Sequence, residues 1–132
     1  MINLIKKLQK NNIKTEKEFV SWIREQIDFY SPILGLQIQR IEIEKGEDTK
    51  FMEITCTYPY LEPIIRYSHH SFEKWQKGKF PKDRILHELC HILTDPLYVK
   101  AIERYVGKGD ILDERERLTD TIAVIIRNLL EK

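Results

Sequence analysis

The sequence predicts an α+β protein, with helices packed on a small antiparallel or mixed sheet of about three strands. Three observations support this. Apolar residues recur at three- and four-residue intervals over 16–30, 81–94 and 113–130, the period of a helix with one buried face. Over 52–58 they instead alternate with polar residues, as in a half-buried strand. At 132 residues and 42% hydrophobic content, the chain fits one compact domain, 1–132, around a single core.

The charge balance narrows the function classes. Lys plus Arg (22) nearly cancels Asp plus Glu (21), so no global field attracts nucleic acid or an anionic membrane. The apolar runs are far shorter than the roughly 20 residues a membrane span needs. The opening MINLIKKLQKNN has lysines inside its apolar pattern and no long apolar h-region, so it does not read as a signal peptide. The expectation is a cytoplasmic protein with no membrane partner. Cys56 and Cys90, without a pairing pattern, are expected to be two buried thiols in a reducing compartment.

Along the chain, Ile2, Ile5 and Leu8 suggest a short helix over 2–10. Thr15 and Glu18 have capping-box spacing, and Phe19, Val20, Ile23, Ile27 and Tyr30 then predict a helix over 16–30, stopped by Ser31-Pro32. In LQIQRIEIEK, Leu36 and Ile38 share one parity and Ile41 and Ile43 the other, which a bulge near Gln39-Arg40 reconciles. Met52, Ile54, Cys56 and Tyr58 alternate after the polar turn KGEDTK, so these two runs are expected to form an antiparallel hairpin. Ile64–Tyr67, preceded by Pro59 and Pro63, reads as a short third strand at a sheet edge. SFEKWQKGK reads as a helix ended by Gly78. A further helix is expected from Pro81 to about Thr94, since Pro96 disfavours continuation, and a last one over 113–130 follows the loop VGKGD.

The helix from Pro81 contains HELCH at 87–91. At 100° per residue, Ile85, Leu86, Leu89, Cys90, Ile92 and Leu93 fall within one arc of roughly 160°, leaving His87, Glu88 and His91 on the other side. Histidines one turn apart can direct ring nitrogens at one ion, and the glutamate between them can take a proton from water that the ion activates. With 4 histidines in the chain, random shuffling gives this pattern about one time in eighty. The competing reading is a solvated helix face that happens to carry two histidines.

A catalytic zinc site normally has three protein ligands, so a third is required. Thr94 and Leu97 stand where a metzincin has its glycine and third histidine, which leaves a carboxylate from elsewhere. ERLTD at 116–120 offers one. Leu118, Ile122, Ile125, Ile126 and Leu129 are expected to form the buried face of the last helix, with Glu116 and Asp120 one turn apart along its margin. Glu116 is the candidate third ligand, and Asp120 the candidate acceptor for the second N–H of a ligand imidazole. Glu114 is the rival ligand. Glu116 also has a structural reading, as the N3 residue of a helix with Asp113 as N-cap.

HELCH followed on a later helix by ERLTD resembles the gluzincin metallopeptidases, whose pattern is H-E-x-x-H and then E-x-x-x-D. HELCHIL with ERLTDTIA is more closely similar to compact ImmA/IrrE-type and phage-associated minimal metalloproteases, with SprT-like proteins as neighbours. The resemblance is specific over about 64–127. It implies a minimal zincin fold with an N-terminal helix, an active-site helix and a C-terminal helix. It also implies one Zn2+ per chain on His87, His91 and Glu116, with Glu88 as general base. A protein or peptide substrate is expected to lie along Ile64, Ile65, Arg66 and Tyr67 by edge-strand pairing. Cys90 and the pair Thr119-Asp120 depart from the residues common in that group.

The function expected is zinc-dependent hydrolysis of a peptide bond, with Tyr98, Tyr105, Arg117 and the pair His69-His70 as candidate oxyanion donors. Two other classes compete. One is a catalytically silent zinc-binding regulatory protein on the same scaffold, against which the intact Glu88 argues. The other is a DNA-associated protein using the basic run Lys74, Lys77, Lys79, Lys82 and Arg84 near Trp75, against which the near-zero net charge argues.

Overall fold

A computed structural model describes residues 14–57, 61–104 and 108–131. The expected helix over 2–10, and Tyr58 and Tyr105, lie outside these residues. Helix α1 spans Glu16–Ile33 and starts as its sequence dictates: the Glu18 amide donates to Thr15 Oγ1 at 3.2 Å. It passes the expected stop. Pro32 lies in its last turn, the Ser31 hydroxyl donates to the Ile27 carbonyl at 2.7 Å, and Gly35 at φ +69° turns the chain away. Phe19, Ile23 and Ile27 form its buried stripe.

The sheet contains β1 (Glu42–Lys45), β2 (Met52–Thr57) and β3 (Glu62–Tyr67) in the order β1-β3-β2. This corrects the expected topology. β1 and β2 do not form a hairpin; β3 lies between them, parallel to β1 and antiparallel to β2. Pro63 had argued for an edge position, yet β1 pairs only with Ile64 to Tyr67, so that ladder begins after the proline. The bulge also disappears. Residues 36–41 form no strand, and the parity change is absorbed by irregular chain in which the Gln39 amide donates to the Leu61 carbonyl at 3.0 Å.

Helix α2 (His69–Gln76) is closed at its start by a reciprocal capping box between Ser68 and Ser71, and Gly78 at φ +69° follows its end. Phe72 and Trp75 of α2 join Trp22, Tyr67 and Phe80 around Phe19, with ring centroids 5.2–6.2 Å from it. This aromatic cluster ties α1 and α2 to the sheet.

Helix α3 spans Arg84–Arg104 and α4 spans Lys108–Leu130, both longer than expected. The segment from Pro81 forms a turn, with the Arg84 amide donating to the Pro81 carbonyl at 3.2 Å, before α3 begins. Pro96 lies inside α3 without ending it. A proline there removes one ladder hydrogen bond. Contacts to α4 hold the chain on both sides of it: the Thr94 and Thr119 hydroxyls are 3.0 Å apart, and the Arg115 guanidinium stacks 4.2 Å from the Tyr98 ring. Because α4 begins at Lys108, Asp113 and Glu116 are helix-interior residues and form no cap.

The face of α4 is also corrected. Thr119 and Ala123 are its buried residues, with Ile122 and Ile126 partly buried against Leu86 and Cys90 of α3. Leu118, Ile125 and Leu129 are open to solvent. This rotation turns Glu116 and Asp120 toward α3. Cys90 is buried as expected, while Cys56 is only partly so, and they form no disulfide. No helix among the described residues is long and apolar enough to cross a membrane.

Candidate metal centre

HELCH occupies the first turns of α3, where the helix is buried on both faces. Leu86, Leu89 and Cys90 fill the core, and the opposite residues His87, Glu88 and His91 are 6%, 2% and 7% exposed. The solvated-face reading therefore fails. Two imidazoles and a carboxylate taken out of water are costly unless they are partnered or serve a site.

The partners are specific. His87 Nδ1 lies 2.6 Å from Asp120 Oδ1 on α4, and His91 Nδ1 lies 3.0 Å from Asp95 Oδ1 one turn along α3. Each ring therefore has its Nδ1 side held by a carboxylate and its Nε2 side turned inward. The Nε2 atoms are 3.0 Å apart, and Glu116 places Oε2 3.3 Å from His87 Nε2 and Oε1 3.5 Å from His91 Nε2. Ligands held tetrahedrally at roughly 2.0–2.1 Å from one zinc stand about 3.3 Å from each other. The three donors fit that spacing, and His87, His91 and Glu116 are the metal-capable group found among the described residues.

Electrostatics follow the packing. Burial, then the neighbouring His91, holds the His87 pKa below its ordinary value. Burial also pulls on His91, but its Asp95 hydrogen bond and the nearby carboxylates outweigh it and raise its pKa. Burial pushes Glu88 up to about 7 against the opposing pull of Arg84, whose Nε lies 3.0 Å from Glu88 Oε1. A carboxylate that exchanges its proton near neutrality is suited to taking one up and returning it.

The site opens into a cavity of about 520 Å³ walled by Lys50 to Thr55, including most of β2, and by Arg84, Asp95 and Arg115. An adjoining pocket of about 420 Å³, sharing His91 and Asp95, is lined by Ile54, Ile92, Pro96 and Val99. Arg115 braces the acidic side, 3.1 Å from Glu116 and 3.9 Å from Asp95.

The other sequence-derived candidates are distributed differently. Glu114 pairs with the exposed Arg117 at 2.8 Å, and neither lines the cavity. Tyr98 lies under Arg115, and His69 pairs with Glu73 while His70 packs on Phe51. Ile64–Tyr67 forms the central strand, with neighbours on both sides, so it has no edge to offer a substrate; the strand on the cavity wall is β2. The basic run is divided, with Lys82 paired to Glu131 and Arg84 turned to Glu88. The sequence reading missed the place of Arg84, Asp95 and Arg115 at this site. The first two could have been found from their i,i+4 spacing to Glu88 and His91. No family model, curated protein or solved structure matches the chain.

Proposed function

We propose that the protein is a zinc-dependent metallopeptidase of the compact gluzincin kind, with His87, His91 and Glu116 as ligands and Glu88 as general base. The observation that carries this reading is the convergence of three donors at 3.0–3.5 Å from one another, next to a carboxylate that is 2% exposed. Zinc at such a set acts as a Lewis acid toward a carbonyl and lowers the pKa of water. The chain's own residues do the rest. Asp120 and Asp95 fix the two rings with Nε2 inward. Glu88 accepts the proton of the attacking water and returns it to the departing amine. Arg84, paired with Glu88, restricts where that carboxylate points.

The substrate strand proposed is an extended peptide paired with β2, whose other edge is already taken by β3. The adjoining pocket lined by Ile54, Ile92, Pro96 and Val99 then receives an apolar side chain near the scissile bond.

The test compares zinc-loaded wild type with Glu88→Gln on a diverse peptide library. Cleavage by wild type, concentrated beside apolar residues and absent from a Glu88→Gln protein that still holds zinc, is the expected result. Equal cleavage by both proteins removes the base assignment. Zinc binding with no cleavage by either moves the protein to the catalytically silent scaffold class.

A further inference from the structure

We propose that Arg115 is the oxyanion donor of the site, its guanidinium holding the carbonyl oxygen of the scissile bond as negative charge builds on it. This inference rests on the metallopeptidase reading and adds to it the group that hydrolysis still lacks. When the water oxygen bonds to the scissile carbon, the carbonyl π pair moves onto the carbonyl oxygen. It returns as the C–N bond breaks, with Glu88 carrying the proton from water to the amine. A donor fixed beside that oxygen stabilises the charge that both steps share.

Three cations line the metal cavity: Lys50, Arg84 and Arg115. Lys50 is drawn to Glu53 at 3.0 Å, and Arg84 to Glu88 at 3.0 Å and to the Met52 carbonyl at 3.4 Å. Of the three, Arg115 alone bonds a member of the donor group. Its Nη2 donates to Glu116 Oε1 at 3.1 Å.

The order of the chain explains this placement. Arg115 precedes Glu116 on α4, and the 100° between neighbours turns it toward the later turns of α3, where Asp95 and Tyr98 lie one turn apart. Its Cζ is 4.2 Å from the Tyr98 ring centre. The stack and the Glu116 bond fix the guanidinium plane, so little freedom is lost when a substrate arrives. Burying Nε without a partner costs free energy, which the cation–π contact offsets. Nη1 is different: it stands 3.9 Å from Asp95, beyond hydrogen-bond range, on a side chain 22% exposed, and keeps N–H donors for the cavity.

The spacing also fits. Neighbouring ligands of a tetrahedral zinc stand about 3.3 Å apart, so a fourth oxygen lies at that distance from Glu116 Oε1. Nη2 is 3.1 Å from the same atom. A triangle with those two sides admits a third of roughly 2.7–3.1 Å, the range of an oxyanion donor.

The test uses the zinc-loaded full chain and N-phosphoryl-leucyl-phenylalanine, whose tetrahedral phosphoryl oxygens mimic the oxyanion and whose leucine suits the apolar pocket. Calorimetry at saturating zinc is expected to show binding by wild type and by Arg117→Met, and binding roughly 100-fold weaker by Arg115→Met. Arg115→Met should still hold zinc, and Arg115→Lys should recover part of the affinity. In peptide cleavage Arg115→Met should lose kcat by a similar factor with KM nearly unchanged.

Equal probe affinity in wild type and Arg115→Met overturns the proposal, as does a zinc-loaded wild type that does not bind the probe. So does an Arg115→Met protein that cannot hold zinc, which would make Arg115 a brace for Glu116. A loss shared by Arg117→Met would be a general charge effect and overturns it too. If wild type holds zinc but cleaves no peptide, the probe comparison alone decides. Wild type without zinc removes the metallopeptidase reading and this inference with it, so metal content tells the two failures apart.

Discussion

His87 Nδ1 and Asp120 Oδ1 meet at 2.6 Å across the α3–α4 packing, joining HELCH to the second motif by one short hydrogen bond. Its Nδ1 position is what leaves Nε2 facing Glu116. An acceptor of this kind typically changes metal affinity 10- to 100-fold, roughly, when removed. Asp120→Ala is therefore expected to weaken zinc binding by that factor in competition with a chelator, and Asp120→Asn by less. An unchanged affinity in Asp120→Ala means that packing alone orients the ring.

Glu116 and Glu114 give opposite predictions although they are two residues apart. Glu116 is within 3.5 Å of both Nε2 atoms, whereas Glu114 pairs with Arg117 away from the cavity. Glu116→Ala should lose stoichiometric zinc after dialysis, and Glu114→Ala should retain it. The reverse pattern would transfer the ligand role to Glu114.

Phe19 is fully buried at the centre of the aromatic cluster joining α1, α2 and β3. Phe19→Ala removes a large core side chain, a change that costs about 3–5 kcal/mol. Urea denaturation should show a loss of that size. A loss below about 1 kcal/mol would place the cluster outside the cooperative core.

Tyr67 gives a pH dependence outside the candidate metal site. Burial, then its hydrogen bond to Glu16 Oε2 at 3.0 Å, pushes its phenol up to about 12 from an ordinary 10. The folded state thus holds this proton over a range in which the unfolded chain has released it. Since the folded state binds more protons there, stability contributed by Tyr67 is full below pH 10 and lost as pH rises from 10 to 12. Tyr67→Phe should flatten that part of the stability profile relative to wild type. Identical alkaline limbs in the two proteins would contradict the assignment.

Much of this architecture is legible in local sequence, because its strongest signals are local. Thr15, Phe19, Ile23 and Ile27 specify α1, and HELCH already separates a core side from a polar side. The sheet order is not local. Nothing within Ile64–Tyr67 says that β1 will pair with it in parallel, and Pro63 misleads because its place just before that ladder is known only from the register. The ends of α3 fail for a similar reason. Pro96 predicts a stop, and only the packing of Tyr98 and Thr94 against α4 overrides it.

At the site, spacing identifies His87, Glu88, His91, Glu116 and Asp120 as candidates. It does not reveal that the polar side of α3 is as buried as its core side, since this depends on α4 and β2 closing over it. The buried face of α4 is not legible in the sequence, because counting apolar residues favours Leu118, Ile125 and Leu129. The structure instead packs the smaller Thr119 and Ala123 inward, bringing Glu116 and Asp120 to the histidines.

The proposed function requires that His87, His91 and Glu116 hold one zinc ion. Elemental analysis of protein stripped with a chelator, reloaded with zinc and freed of excess ion by dialysis tests it directly. The predicted result is close to one zinc per chain for wild type and for Glu88→Gln. Wild type that keeps no zinc, or that keeps it equally well after His91→Ala, would contradict the claim.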